Sequence, residues 1–143
     1  MSTSLGKLQT PVPIPELKVT PDHTQIFMFS AATWNRHHIH YSKDAAMAEG
    51  LPDVVVQRAF IGNLFARQLS EWMGDAGEIR ELGWKVTQSA VPGCELTIRG
   101  TAVADEIRPA GREIECELSM VDAQGRTIAT GHARLGVAAG RST

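Results

Sequence analysis

Apolar positions recur with two different periods along the chain, and the change of period divides it. From Gln57 to Met73, the residues Phe60, Ile61, Leu64, Phe65, Leu69, Trp72 and Met73 return three and four positions apart, the spacing of one broad helix face. That stripe covers more than half of the circumference, so the helix is expected to be enclosed by other elements, with Gly62 admitting a close neighbour. Downstream the period falls to two. Leu82, Trp84 and Val86 alternate with Gly83, Lys85 and Thr87, and Leu96 and Ile98 alternate with Thr97 and Arg99. In the sharpest case Ile114, Cys116, Leu118 and Met120 alternate with Glu113, Glu115, Glu117 and Ser119. Asp122-Ala123-Gln124-Gly125 supplies a hairpin turn with glycine where a positive φ is needed, and Thr127 to Val137 returns as the final strand.

Upstream the pattern is shorter. Gln25 to Ser30, QIFMFS, is an apolar run rich in strand formers and predicts a buried strand leading directly into a histidine-rich turn. Ser42 to Gly50 predicts a short helix capped by Ser42 and stopped by Gly50, with Pro52 enforcing the break. Pro11, Pro13 and Pro15 fix backbone angles and remove donors, so residues 1–14 are read as an extended arm, residues 15–137 as one domain and residues 138–143 as a loose tail. The order is strand, irregular turn with a short helix, one long apolar helix, then a run of strands. It fits an α+β architecture in which an antiparallel sheet wraps one central helix.

Composition narrows the class. With 143 residues, 43% of them hydrophobic, the chain is long enough for one real core without disulfides. A formal charge of −2 gives no basic surface for nucleic acid. No apolar run approaches the ~20 residues that cross a bilayer, and the N-terminus lacks the apolar core of a signal peptide, so a cytoplasmic location without membrane association is expected. Cys94 and Cys116 are far apart in sequence and imply no disulfide framework.

Candidate chemistry concentrates in Ser30 to Tyr41, SAATWNRHHIHY, which holds three of the five histidines. On an extended chain His37 and His38 point to opposite sides, and no spacing recommends a third zinc ligand among His23, His132, Cys94 and Cys116, so no metal is expected. Asn35 and His40 can face one cavity, where imidazole moves protons near neutral pH and a carboxamide holds water or fixes a tautomer. On spacing alone a third reading stands beside these, in which His40 caps a turn or satisfies a backbone carbonyl.

The same stretch resembles a known motif. Phe29-Ser30-Ala31-Ala32-Thr33-Trp34-Asn35 followed by His38-Ile39-His40-Tyr41 resembles the hydratase motif of MaoC-like hot-dog proteins, which include (R)-specific enoyl-CoA hydratases. It looks nearest the branch of mesaconyl-CoA-type hydratases and the mitochondrial 3-hydroxyacyl-thioester dehydratase, where T-[FW]-N-x-H-x-I-H-Y is typical. Leu51-Pro52-Asp53-Val54-Val55-Val56 resembles that branch's approach to its central helix, and Val91-Pro92-Gly93-Cys94-Glu95-Leu96 its P-G-[DE]-x-L turn. Pro15-Glu16-Leu17-Lys18 and the length are similar to the small subunit of steroid side-chain enoyl-CoA hydratases.

The resemblance implies a hot-dog fold and syn addition of water to a 2-enoyl-CoA, or its reversal, with no cofactor beyond the CoA thioester that is the substrate. It assigns the water-holding and proton-carrying positions to Asn35 and His40. Asparagine stands where standard members have aspartate, Ser42 where many have aspartate, and Gln57-Arg58 where the near branch has His-Gly. The thioester carbonyl is expected at the backbone N–H groups of Gln57, Arg58 and Ala59, where a helix start stabilises developing negative charge. Trp34 is expected in the core or as a wall of the acyl pocket. As partners, a homodimer or higher oligomer is expected, or a heteromer with a second hot-dog subunit. Three rivals remain: a hot-dog thioesterase, for which Glu71 is the one carboxylate within the long helix, a half-site or non-catalytic subunit, and last a simple ligand-binding module, which the fold alone would support.

Overall fold

The computed structural model describes residues 5–138. In chain order its elements are β1 (Val12–Val19), α1 (His23–Thr33), a 3-10 turn (His38–His40), α2 (Lys43–Ala48), α3 (Arg58–Met73), a second 3-10 turn (Gly74–Ala76), β2 (Gly77–Val86), β3 (Leu96–Arg108), β4 (Gly111–Val121) and β5 (Thr127–Val137). All strand pairs are antiparallel, in the order β1-β3-β4-β5-β2.

The broad stripe of α3 becomes the core. Ile61, Leu64, Phe65, Leu69 and Met73 are buried in one cluster with Ile98, Ile114, Leu118, Met120 and Leu135 of the sheet. Strand β4 keeps its alternation, with Ile114, Cys116, Leu118 and Met120 all buried. Burial there pushes the Cys116 thiol up to about 12, leaving it a small apolar side chain at neutral pH. Gly62 does admit a neighbour: the Trp84 indole lies where its Cβ would stand, and Trp84 Nε1 donates to the Arg58 carbonyl at 2.9 Å. The turn at Gly125 has φ 78°, the left-handed value that glycine adopts freely. Ser42 caps α2 by accepting from the Ala45 N–H at 3.2 Å.

Two expectations fail. Gln25 to Ser30 is not a strand: it lies inside α1. A six-residue apolar run has no periodicity that separates strand from helix, and the local cap decides the matter. Asp22 accepts from the Gln25 N–H at 2.7 Å while Gln25 Oε1 accepts from the Asp22 N–H at 3.0 Å, a reciprocal capping box that starts a helix there. The histidines therefore follow a helix end, and the three closest in sequence curl through a 3-10 turn in place of the extended chain expected.

The arm also differs from expectation, because β1 begins at Val12, inside the segment read as preceding the domain. Its prolines are tolerated because β1 is an edge strand with only β3 beside it. Between Ile14 and Leu17 the register shifts, and the buried Gln68 amide on α3 donates to the carbonyls of Pro15 and Ile98, both at 3.1 Å, across that irregularity. Further back, the Leu8 N–H donates to Asp105 at 2.8 Å and Arg112 donates to the Gly6 carbonyl at 2.9 Å. The last five positions of the expected loose tail lie outside the described residues.

Candidate active site

Helix α1 delivers the first candidate residue. It ends at Trp34, held at φ 57°, and the N–H groups of Trp34 and Asn35 both turn back onto the Ser30 carbonyl, the latter at 2.9 Å. This places the half-buried Asn35 just beyond the helix end. Its Oδ1 accepts from the His37 backbone N–H at 3.2 Å, and its Nδ2 keeps two N–H donors that a ligand can meet.

The 3-10 turn delivers the second. His37 caps it, with Nδ1 accepting from the Ile39 N–H at 3.4 Å, while His38 lies edge-on to Tyr41 with ring centres 5.5 Å apart. Both are exposed, and only His40 of the three is buried. His40 Nδ1 lies 2.7 Å from the Val55 carbonyl oxygen. A carbonyl only accepts, so Nδ1 carries the hydrogen and neutral His40 keeps Nε2 unprotonated. The turn is locked onto the same segment a second time, by the Val55 N–H donating to the Ile39 carbonyl at 3.0 Å. The bond to a backbone carbonyl expected in the third reading is thus present, and it leaves the other ring nitrogen of neutral His40 as an acceptor.

His40 lines a hollow of about 280 Å³ with His23, Thr24, Phe27, Tyr41 and Val54. Asn35 lines a smaller one of about 140 Å³ with Ser30, Trp34 and Arg36. Phe27 and Tyr41 wall both hollows, so the two candidates face adjoining spaces. Trp34 is 75% exposed at the rim and is no part of the core. His23, Tyr41 and Ser30 were not singled out from sequence as residues of this site. His23 sits 3.4 Å from Asp53, and it reaches the hollow only because α1 is a helix. Asp22-x-x-Gln25 was the signal that announced this.

The three residues expected to bind the thioester separate. Gln57 is the N-cap of α3, fully buried, and its Nε2 donates to the Ile26 carbonyl at 2.7 Å and to Ser30 Oγ at 2.8 Å. Arg58 turns to the opposite side: its guanidinium stacks over the Trp84 ring at 4.7 Å, donates to the Trp84 carbonyl at 3.0 Å, and borders a groove shared with Lys85 and His132. Ala59 is exposed, and no side chain caps α3. Glu71 is exposed and pairs with Arg67 one turn away at 2.9 Å. Among the described residues no group of three histidines, cysteines or carboxylates is placed to hold a metal ion. None of their helices is long and apolar enough to cross a membrane.

The antiparallel sheet packed on one long helix is the hot-dog fold, shared with a MaoC-like dehydratase of Rhodospirillum rubrum at TM-score 0.81 and 13% identity, over 94% of this chain and 96% of that one. The profile of the hydroxyacyl-thioester dehydratase type 2 family matches residues 5–92, and the chain belongs to that family. It is 30% identical over 73 residues to the 3-oxo-4,17-pregnadiene-20-carboxyl-CoA hydratase beta subunit of Mycobacterium tuberculosis, covering 51% of this chain. The chain spans 57% of the length of that relative. Its fold is shared with a chain of the ChsH1–ChsH2 complex of Mycobacterium tuberculosis, at TM-score 0.80 and 23% identity, over 90% of this chain and 97% of that one. An (R)-hydratase of A. caviae involved in PHA biosynthesis has TM-score 0.83 and 15% identity, over 93% and 99% of the two chains.

Proposed function

We propose that this chain adds water to the double bond of a 2-enoyl-CoA thioester, or removes it from the corresponding 3-hydroxyacyl-CoA, with His40 as the proton carrier and Asn35 as the residue that holds the water. The single observation that carries the reading is the bond from His40 Nδ1 to the Val55 carbonyl, which leaves Nε2 as the acceptor of a neutral, buried imidazole on a residue that lines the hollow. Family membership supports the general reaction.

In the hydration direction Asn35 donates an N–H to the water oxygen, and His40 Nε2 takes one proton as that oxygen bonds to C3. The electron pair of the double bond moves onto the thioester carbonyl, and the proton held by His40 passes to C2, so water is added whole and no redox group is needed. The uncapped N–H groups at Gln57, Arg58 and Ala59 are the proposed partners of the carbonyl as it gains charge. The exposed position of Glu71 beside Arg67 gives the thioesterase reading no carboxylate in the hollow.

A second reading concerns assembly. Phe27 and Trp34, each more than half exposed, line the two hollows, and Met28 and Met47 are equally exposed. A surface of this kind is ordinarily covered. The likeness to a beta subunit and to a chain of a two-protein complex favours a second hot-dog subunit as the cover, whether a copy of this chain or a different one. The test follows the conjugated thioester absorbance of short, branched and steroid-like enoyl-CoAs with wild type and His40→Ala, alone and with a co-expressed partner. Loss of absorbance with wild type and its disappearance in His40→Ala is the expected result.

A further inference from the structure

Three features outside the assigned pair hold buried or clustered chemistry: the basic groove of Arg58, Lys85 and His132, the Gln68 amide under β1, and the Gln57–Ser30 contact. The first holds no group that points to a ligand, and the second is accounted for by the irregularity in β1. The third connects to the site. Gln57 and Ser30 are both almost wholly buried, at 0% and 5% exposure. Gln57 Nε2 spends both its hydrogens on α1, one on the Ile26 carbonyl and one on Ser30 Oγ. Its Oε1 is buried without a partner, so the side chain is held in place by its donor end alone. Ser30 then passes the constraint on, since its carbonyl accepts the N–H groups of Trp34 and Asn35. Two residues before Gln57, the Val55 carbonyl holds His40.

We infer that Gln57 is a positioning residue: its carboxamide ties α1 to the start of the central helix and thereby sets Asn35 relative to His40. The inference rests on the hydration reading and deepens it. One short segment, Val55 to Gln57, grips both members of the pair by separate bonds, the histidine through a main-chain carbonyl and the asparagine through a side-chain amide acting at a distance of five residues along α1. A carboxamide suits this work because two N–H groups on one nitrogen reach a carbonyl and a hydroxyl of the same helix turn. Hydrophobic replacement keeps the volume and removes both bonds. The angle of α1, and with it the position of Asn35, is then set by packing alone.

The experiment compares Gln57→Leu with Gln68→Leu, which also deletes a buried α3 amide but one that serves β1 and β3. Each is also combined with Asn35→Ala, and kcat and KM are measured alongside thermal unfolding. Displacement of a water-holding group costs about tenfold to a hundredfold in kcat. We expect a loss of that order in Gln57→Leu with KM little changed, none beyond the stability effect in Gln68→Leu, and no further loss when Gln57→Leu is added to Asn35→Ala. Ser30→Ala should lower kcat in the same direction and add nothing to Gln57→Leu. Equal kcat in the two leucine variants, or a Gln57→Leu loss that multiplies with the Asn35→Ala loss, overturns the inference. If wild type is inert toward every thioester, the hydration reading falls by itself, and amide hydrogen exchange decides the inference: faster exchange at Trp34 and Asn35 in Gln57→Leu supports the tie, and unchanged exchange refutes it.

Discussion

At Asn35 the carboxamide oxygen accepts from the His37 backbone N–H and the nitrogen end can donate, and a carboxamide is never a base. That gives the two candidates unequal work. Of the two, only an imidazole can take up and release a proton, and in the proposed reaction that transfer is worth about a hundredfold or more in rate. Asn35→Ala should therefore lower kcat by less than His40→Ala does. Asn35→Asp makes a sharper prediction: the carboxylate still accepts from His37 but adds a second ionising group next to the water. The profile of kcat/KM against pH should then carry one more ionisation in Asn35→Asp than in wild type. A profile unchanged by Asn35→Asp would remove Asn35 from the water. At this scale the sequence was informative about identity and uninformative about geometry. Resemblance to the family motif singled out Asn35 and His40, whereas the bond from His40 to Val55 joins residues 15 apart and had no local signature.

Among the elements, α3 and β4 were legible because their periods are long and unbroken, and a stripe at three and four or a strict alternation has one structural solution. Helix α1 was not. Its apolar residues form a block, only Ile26 and Ser30 are buried, and its start is decided by the Asp22 and Gln25 side chains that precede and enter it. β1 was hidden by its prolines, which argue against an interior strand and are compatible with an edge. The packing of α3 against β2 yields its own prediction. A methyl group at position 62 would overlap the Trp84 indole, so Gly62→Ala should destabilise the fold by about 1–3 kcal/mol in spite of the higher helix propensity of alanine. Denaturant unfolding measures it. A Gly62→Ala protein as stable as wild type would mean that Trp84 does not sit over the helix.

For the molecule as a whole, the N-terminal segment is fastened by one ion pair. The Asp105 carboxylate is 3% exposed, and the Arg112 guanidinium, 2.6 Å away, holds it below the ordinary carboxylate range. Leu8 donates to the same carboxylate, and Arg112 also donates to the carbonyls of Leu5 and Gly6. Because folding lowers this acid's pKa, its contribution to stability is present above the unfolded value near ~4 and is lost as pH falls through the lower folded value. Asp105→Asn should cost on the order of 3 kcal/mol at neutral pH, because it leaves Arg112 buried without its partner. The difference from wild type should shrink as the pH drops below about 4 in urea unfolding. A gap independent of pH would contradict this.

The exposed apolar residues around the two hollows bear on the molecule's assembly. Light scattering on the purified chain should give a mass of at least two copies, or a defined complex when the second subunit is supplied, and a stable monomer under both conditions would count against the covered site. Which acyl group would fit was not legible in the chain, because Phe27, Trp34 and Tyr41, which line the smaller hollow, are all exposed side chains brought together by the fold.

The most direct test of the account is the rate at which the chain consumes enoyl-CoA, compared between wild type and His40→Ala at equal folded concentration. The account expects the conjugated absorbance to fall with wild type, 3-hydroxyacyl-CoA to accumulate, and the rate to drop about a hundredfold or more in the variant. Wild-type hydration that persists undiminished in His40→Ala would contradict it.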